Sequence, residues 1–351
     1  MPWKNIRGHD AQADHFRQLL AAGRMPHALL FVGPPSIGKT LFARTLAQGL
    51  LCDTNPPEAL DPCGTCPSCK QVEAETHPDF IVARRPEDKS ELPIKVIREE
   101  ICDKLILKPM MGKYRIAIVE DADELTTQAA NAFLKTLEEP GPGSVLILIG
   151  SSPDSQLDTV VSRCQVVRFR PLSPENLEAI LRERGLIAQA AEAAQLAQQA
   201  EGSVARAMLL ADLDYQNARR AILRELAESG APSGPRVARL MEEHAKAAGK
   251  ETAAHRRRAV LLLEELSRFF RDVLWSGAGL APPSGDTAMT AAAESLAAWC
   301  EPENVFAAAD RSFLAIDQIQ SNAYLPVALA AWAHDVCRIL VGQAPSSTSA
   351  R

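Results

Sequence analysis

Short unbroken apolar runs alternate with helix-period stretches over the first 170 residues. Ala28-Leu29-Leu30-Phe31-Val32 is one such run, closed by the turn signal Gly33-Pro34-Pro35. Asp79-Phe80-Ile81-Val82, Arg115–Val119, Val145–Ile149 and Gln165–Phe169 are four more. Runs that are apolar on both faces predict strands of a parallel sheet with helices packed on either side. The intervening pattern predicts helices at Lys39–Leu51, Ile94–Leu105 and Thr127–Glu139. In the last of these Ala130, Phe133, Leu134 and Leu137 share one face, and Pro140-Gly141 ends it.

After Pro171 the strand-like runs stop and the text becomes rich in Ala, Leu and Glu at helical spacing. Ser173-Pro174-Glu175-Asn176 reads as a helix start, with Ser173 as cap and Pro174 in the first turn. The pattern therefore predicts a sheet domain over 1–171, a small helical domain over 172–212 and a further all-α domain over 213–343. Gly and Pro signals between Gly277 and Asp286 predict a loop inside the last. The Ser-, Ala- and Thr-rich tail, 344–351, is expected to be disordered. No internal repeat is visible.

Composition narrows the class. Of 351 residues 46% are hydrophobic and 23% charged, enough to bury a core, which excludes a disordered chain or a disulfide-held miniprotein. The formal charge of −6 argues against a chain that coats DNA unaided, because such binding runs on Lys and Arg neutralising phosphates. The first seven residues carry no long apolar run, so no secretory signal is expected. The longest apolar stretches, such as Leu325–Trp332, fall far short of the ~20 residues of a membrane helix. The expected compartment is the cytoplasm, where cysteines mean metal or thiolate chemistry.

Gly33-Pro34-Pro35-Ser36-Ile37-Gly38-Lys39-Thr40 matches the phosphate-binding loop G-x-x-x-x-G-K-[ST] between a predicted strand and a predicted helix. Backbone N–H groups at the helix start hold phosphate oxygens, Lys39 adds a charge at the β/γ-phosphates, and Thr40 offers a hydroxyl to Mg²⁺. ATP or ADP with Mg²⁺ is the cofactor this motif implies. Hydrolysis needs acids at the end of a second strand. A motor carries Asp then Glu there, whereas Arg115–Val119 ends in Glu120-Asp121. A carboxylate displaced by one methylene misses its target by more than about 1 Å, which costs on the order of 10²-fold in rate. Weak or absent hydrolysis is expected. Asp123 has two readings, a ligand-facing acid or a turn acid.

Cys52, Cys63, Cys66 and Cys69 lie within eighteen positions, interrupted by Pro62, Gly64 and Pro67. Two-residue spacers let thiolates converge, and four of them make a closed structural Zn²⁺ site. The metal would fold an insert too short for its own core. Nearby His77-Pro78 is expected to be a structural turn. Arg163, in Ser162-Arg163-Cys164, would on its own be a solvated or ion-paired side chain.

Taken together, Arg24-x-Pro26-His27-Ala28, the phosphate loop, the cysteines, Thr76-His77-Pro78-Asp79, Asn131–Pro140 and Ser162-Arg163-Cys164 resemble, in one order, the AAA+ subunits of the bacterial DNA polymerase III clamp loader. The motifs cover about 1–210. The resemblance implies an AAA+ domain with a zinc-binding insert, a helical lid and an α-helical collar. It implies partners: the tau/gamma and delta subunits, and through them the sliding clamp and primer-template DNA. Two departures make the chain more similar to the family's delta-prime branch than to its tau/gamma motors. The acidic pair is inverted, and the arginine that follows Gly-Ser-x in motors falls one place late, at Arg206 after Gly202-Ser203-Val204-Ala205. One residue turns a helical side chain by ~100°, so Arg206 is expected to face elsewhere. Arg163 matches the family's arginine finger, which acts on a neighbouring subunit's ATP, with Ser162 and Cys164 positioning it. The resemblance implies a component of the polymerase holoenzyme that does not itself polymerise. The alternatives are a competent tau/gamma-type ATPase and, outside replication, a nucleotide kinase with a zinc insert, for which no basic lid is visible.

Overall fold

The computed structural model describes Trp3 and residues 6–86, 91–227, 232–249 and 251–343; the 344–351 tail lies outside them. The chain divides into two compact units, Met1–Gly185 with Gly202–Val204, and Leu186–Glu201 with Ala205–Arg351. No helix among the described residues is long and apolar enough to cross a membrane.

The first unit is built on five parallel strands among the described residues: β1 (Ala28–Val32), β2 (Phe80–Ala83), β3 (Arg115–Val119), β4 (Ser144–Gly150) and β5 (Gln165–Arg168), in the order β2-β3-β4-β1-β5. Alternate residues of each strand serve opposite cores. Leu29, Phe31, Ile116, Ile118, Val145 and Ile147 pack with helices Asp10–Ala21 and Lys39–Leu50. Ala28, Leu30, Ala117, Val119, Leu146 and Leu148 pack with the segments around Ile97–Leu105 and Ala129–Leu137. Burial on both faces is why these strands read as continuous apolar runs. The rings of Phe16, Phe31, Phe42 and Phe169 fill the first core, with neighbouring centroids 5.0 to 6.0 Å apart. This is an α/β architecture of parallel strands with a phosphate-loop sequence after β1 and a four-cysteine insert, followed by helices.

Three predicted elements differ in detail. β2 starts at Phe80, because Asp79 leads into the strand with its carboxylate committed elsewhere. It accepts from the N–H groups of Met110 and Met111, at 2.8 and 2.6 Å, and from the buried Arg115 guanidinium at 2.8 Å. The predicted helix at 94–105 winds as a π segment, Ile97–Cys102, between single turns at Ile94–Val96 and Asp103–Leu105. The predicted helix at 127–139 breaks at Phe133 into Thr127–Ala132 and Leu134–Glu138. Ser173 caps helix Pro174–Glu183, its hydroxyl accepting from Asn176 N–H at 3.3 Å.

Among the described residues the second unit contains helices and no strand. Ala190–Gln199 and Val204–Ala211 precede Leu213–Ala227, Gly234–Lys246, Thr252–Gly277, Thr287–Ala297, Pro302–Gln320 and Leu325–Leu340. The predicted break falls between Gly277 and Thr287, where Asp286 caps the next helix through the N–H groups of Ala288 and Met289. Helix Thr252–Gly277 packs against several of the others. On it Glu265, 1% exposed, receives Arg206 and Arg219 at 3.2 Å each. Arg206 also reaches Glu201 at 3.0 Å, and Arg219 reaches Asp286 at 2.7 Å.

His244, buried beside Tyr215, accepts from Arg258 Nε at 3.1 Å. Burial, and then the Arg258 charge, push its pKa down to about 4. The unfolded imidazole takes a proton near pH 6.5 while the folded one stays neutral until about 4. Stability should therefore fall as pH drops through that window, by up to about 3 kcal/mol. Denaturant midpoints of wild type and His244→Gln, measured from pH 7.5 to 4.5, should differ in slope, the variant being flatter. Parallel curves would refute this.

Candidate functional site

The phosphate loop sits at the carboxyl end of β1, where open parallel sheets bind ligands. Its shape comes from three backbone positions. Gly33 has φ 151, and a Cβ there would lie 2.4 Å from Phe169 O. Ser36 (φ 60) and Gly38 (φ 104) turn the chain through left-handed conformations, which aims successive N–H groups inward. Helix Lys39–Leu50 starts without a side-chain cap, so its first N–H groups remain available to an anion. From below, His9 Nε2 lies 2.8 Å from Ile37 O, and its ring packs edge-on to Phe42 and Phe169. Val204 N–H donates to Ser36 O at 3.1 Å.

Lys39 is folded back: its Nζ donates to Gly33 O and, at 2.6 Å, to Pro34 O. Burial pushes its pKa down, and the charge of Asp123 opposes that shift.

The two acids singled out from sequence occupy different surroundings. Glu120 receives Arg44 at 3.1 Å and Arg84 Nε at 2.9 Å. The same arginines hold Glu75, whose carboxyl stays down at about 2, chiefly through its bond with Arg84. Asp121 is solvent-exposed and takes a left-handed φ of 56. Asp123 instead lies beside the loop. Its Oδ2 accepts from Ser151 N–H at 2.7 Å, and its Oδ1 from Ser155 Oγ at 2.7 Å and Gln156 Nε2 at 3.0 Å. The polar stretch Gly150-Ser151-Ser152-Pro153 after a predicted strand was the available signal for this cluster.

The cysteines converge. The Sγ atoms of Cys52, Cys63, Cys66 and Cys69 all lie within 4.8 Å of one another, with Cys52 and Cys66 at 4.0 Å. Tetrahedral zinc with Zn–S of about 2.3 Å requires S–S separations of about 3.8 Å, so the set fits Zn²⁺ after a slight contraction. Backbone N–H groups point at three of the sulfurs, while burial pushes the Cys69 thiol up. Cys63 Sγ accepts from the N–H groups of Thr65 and Cys66, Cys66 Sγ from Cys69 N–H, and Cys52 Sγ from Asn55 N–H, at 3.3 to 3.5 Å. The Thr54 hydroxyl and these N–H groups hold the Cys63 thiol down at about 5. Asp53 ties the start of helix Pro67–Glu73 by accepting from Ser68 N–H and Oγ. His77 stays out of the cluster, its Nδ1 accepting from Asp79 N–H at 3.0 Å.

Arg163 follows helix Asp158–Val161 with its side chain 36% exposed. Its Nε and Nη2 reach Glu138 Oε1 at 2.9 and 2.6 Å, and its Nη1 donates to Thr159 O at 3.0 Å and to Ser162 Oγ at 3.4 Å. Burial pushes the Cys164 thiol up to about 12, so it is inert. Arg206 is 8% exposed and engaged with Glu201 and Glu265 in the helical unit.

Residues 8–173 match the family described as DNA polymerase III, delta subunit. The DNA polymerase III subunit delta' of Bacillus subtilis (strain 168) is 35% identical over 163 residues, 46% of this chain and 47% of that protein. The subunit delta' of Escherichia coli (strain K12) is 34% identical over 222 residues, 62% of this chain and 65% of that protein. The subunit tau of the same strain is 32% identical over 197 residues, 55% and 30% respectively. The chain thus spans less than two thirds of the length of each relative.

Proposed function

We propose that the chain is a clamp-loader subunit of the DNA polymerase III delta-prime kind, acting on its neighbour's ATP more than on its own, a reading supported by the family match over 8–173 and the likeness to two delta' subunits. In this reading Arg163 is an arginine finger supplied in trans, stabilising charge on the phosphoryl group that the adjacent tau/gamma subunit transfers. Ser162 and Glu138 hold the guanidinium until the neighbour's triphosphate replaces Glu138. Residues Gly33–Thr40 bind ATP or ADP with Mg²⁺ at the chain's own loop, and Cys52, Cys63, Cys66 and Cys69 hold a structural Zn²⁺. The helices within 172–212 serve as a lid and those of 213–343 as a collar that meets tau/gamma and delta in the cytoplasm. The sliding clamp and primed DNA are reached through that assembly.

The observation that carries the weak-ATPase part is the engagement of Glu120. Its carboxylate is spent on Arg44 and Arg84, the position from which a motor would serve its Mg²⁺. A motor reading also has support, in the complete phosphate loop and the likeness to tau. Turnover separates the two. The purified chain alone should hydrolyse ATP no faster than background, co-elute with tau/gamma and delta, and raise the ATPase of that mixture. A lone-chain rate equal to that of the full complex would establish the motor instead.

A further inference from the structure

The carboxylate of Asp123 is held by the residues that follow β4, beside the phosphate loop. Gly150, the last residue of β4, pairs in register with Val32, the residue just before the phosphate loop. The next residue, Ser151, is joined to the loop itself, its carbonyl accepting from Gly33 N–H at 3.0 Å. Its own N–H is turned away from the sheet to Asp123 Oδ2 at 2.7 Å. Ser155 Oγ and Gln156 Nε2 complete three donors focused on one carboxylate. A Cβ on Gly150 would lie 2.5 Å from Asp123 Oδ1, so the glycine makes room for it. Asp123 remains open to solvent on the carboxyl end of the sheet, the side from which a ligand enters.

From this juxtaposition we infer that Asp123 makes the loop selective for a nucleoside diphosphate over a triphosphate. The inference rests on the loop binding a nucleotide at all. Backbone N–H groups of such a loop cradle the first two phosphates, and its lysine reaches the outermost ones. Lys39 is near enough to Asp123 for the two charges to interact. A third phosphate drawn to Lys39 meets the like charge of Asp123. It also finds the Ser151 N–H and the Ser155 hydroxyl already taken, so it must displace a carboxylate to use them. A diphosphate ends short of that contact. The three hydrogen bonds also occupy three of the roughly four lone-pair sites of the Asp123 carboxylate, which leaves it a poorer ligand for a divalent cation.

Calorimetric titration of the full chain tests this with MgADP, MgATP and the β,γ-imido analogue of ATP. Wild type should bind MgADP more tightly than either triphosphate, by roughly tenfold or more. Asp123→Ala frees all three donors and should bring the ratio to within about twofold, by tightening triphosphate binding more than diphosphate binding. Asp123→Asn, which keeps the shape and drops the charge, should move the ratio in the same direction. Equal binding of the two nucleotides by wild type overturns the inference whatever the variants do. So does a ratio that survives in a folded Asp123→Ala, with folding checked by thermal melting. Failure of every nucleotide to bind would instead remove the nucleotide site itself, and the selectivity with it.

Discussion

Replacing Cys63 and Cys66 together by serine should release one zinc ion per chain and loosen residues 52–73, while the β1–β5 sheet remains folded. The insert has little apolar material of its own. Leu60, Pro62, Cys66, Ser68, Cys69 and Val72 are its buried members, and Leu60 holds a left-handed φ of 43 while it packs against Gly49. Trp3 Nε1 donates to Leu60 O at 2.5 Å and so pins the same turn from outside. Four thiolates brought together without an ion would repel, and structural zinc contributes on the order of 10 kcal/mol to folding in small domains. The sheet, with both cores filled, does not depend on that contribution. Metal analysis with limited proteolysis checks both halves of the expectation. The variant should lose its zinc and be cut within 52–73, and the remainder should resist. A wild-type protein that is zinc-free and equally resistant over this span would refute the assignment.

Arg163→Ala should leave the chain folded and able to assemble, yet slow hydrolysis at the ATP site it faces by on the order of 10³-fold or more, the scale of trans arginines in GTPases. The folding half follows from exposure. The Arg163–Glu138 pair lies at the surface, with side chains 36% and 53% exposed, and such pairs contribute about 0 to 1 kcal/mol. The catalytic half follows from geometry, since a planar fork stabilises a transferring phosphoryl from several directions. Arg163→Lys should therefore rescue little of the rate. Glu138→Gln should behave differently, weakening the resting pair while leaving the guanidinium in place, so assembled ATPase changes only modestly. Size-exclusion chromatography establishes assembly, and single-turnover measurements in the presence of clamp and primed DNA report the rate. Full activity in an assembled Arg163→Ala complex would end the finger assignment.

Much of this was legible because it is local. β1 and β3 stand where unbroken apolar runs placed them, and the cysteine spacing alone brought four sulfur atoms together. Ser173 caps its helix because a cap needs only the next three residues. What escaped the sequence depends on distant partners. β2 starts late because Asp79 answers Arg115, thirty-six positions away. Helix periodicity at 94–105 cannot distinguish an α from a π winding, since both keep Ile97, Ile101 and Leu105 on the core side. Asp123 acquires its role from the end of β4, twenty-eight positions on, and Arg163 finds Glu138 twenty-five positions back. The ~100° argument named no destination for Arg206. Glu201 and Glu265 supply one.

That destination chains two positions together. Glu265 is shut off from water among three counter-charges, Arg206, Arg219 and Arg268, so loss of one weakens a buried network without leaving the carboxylate unpaired. An exchange at Arg206 alone would leave Glu265 to Arg219 and Arg268 and take from Glu201 one of its partners, so drift there is opposed by the network around it. The guanidinium one place late in the Gly-Ser motif is thereby mortgaged to architecture. Sliding it back to read a nucleotide would first undermine the fold that carries it.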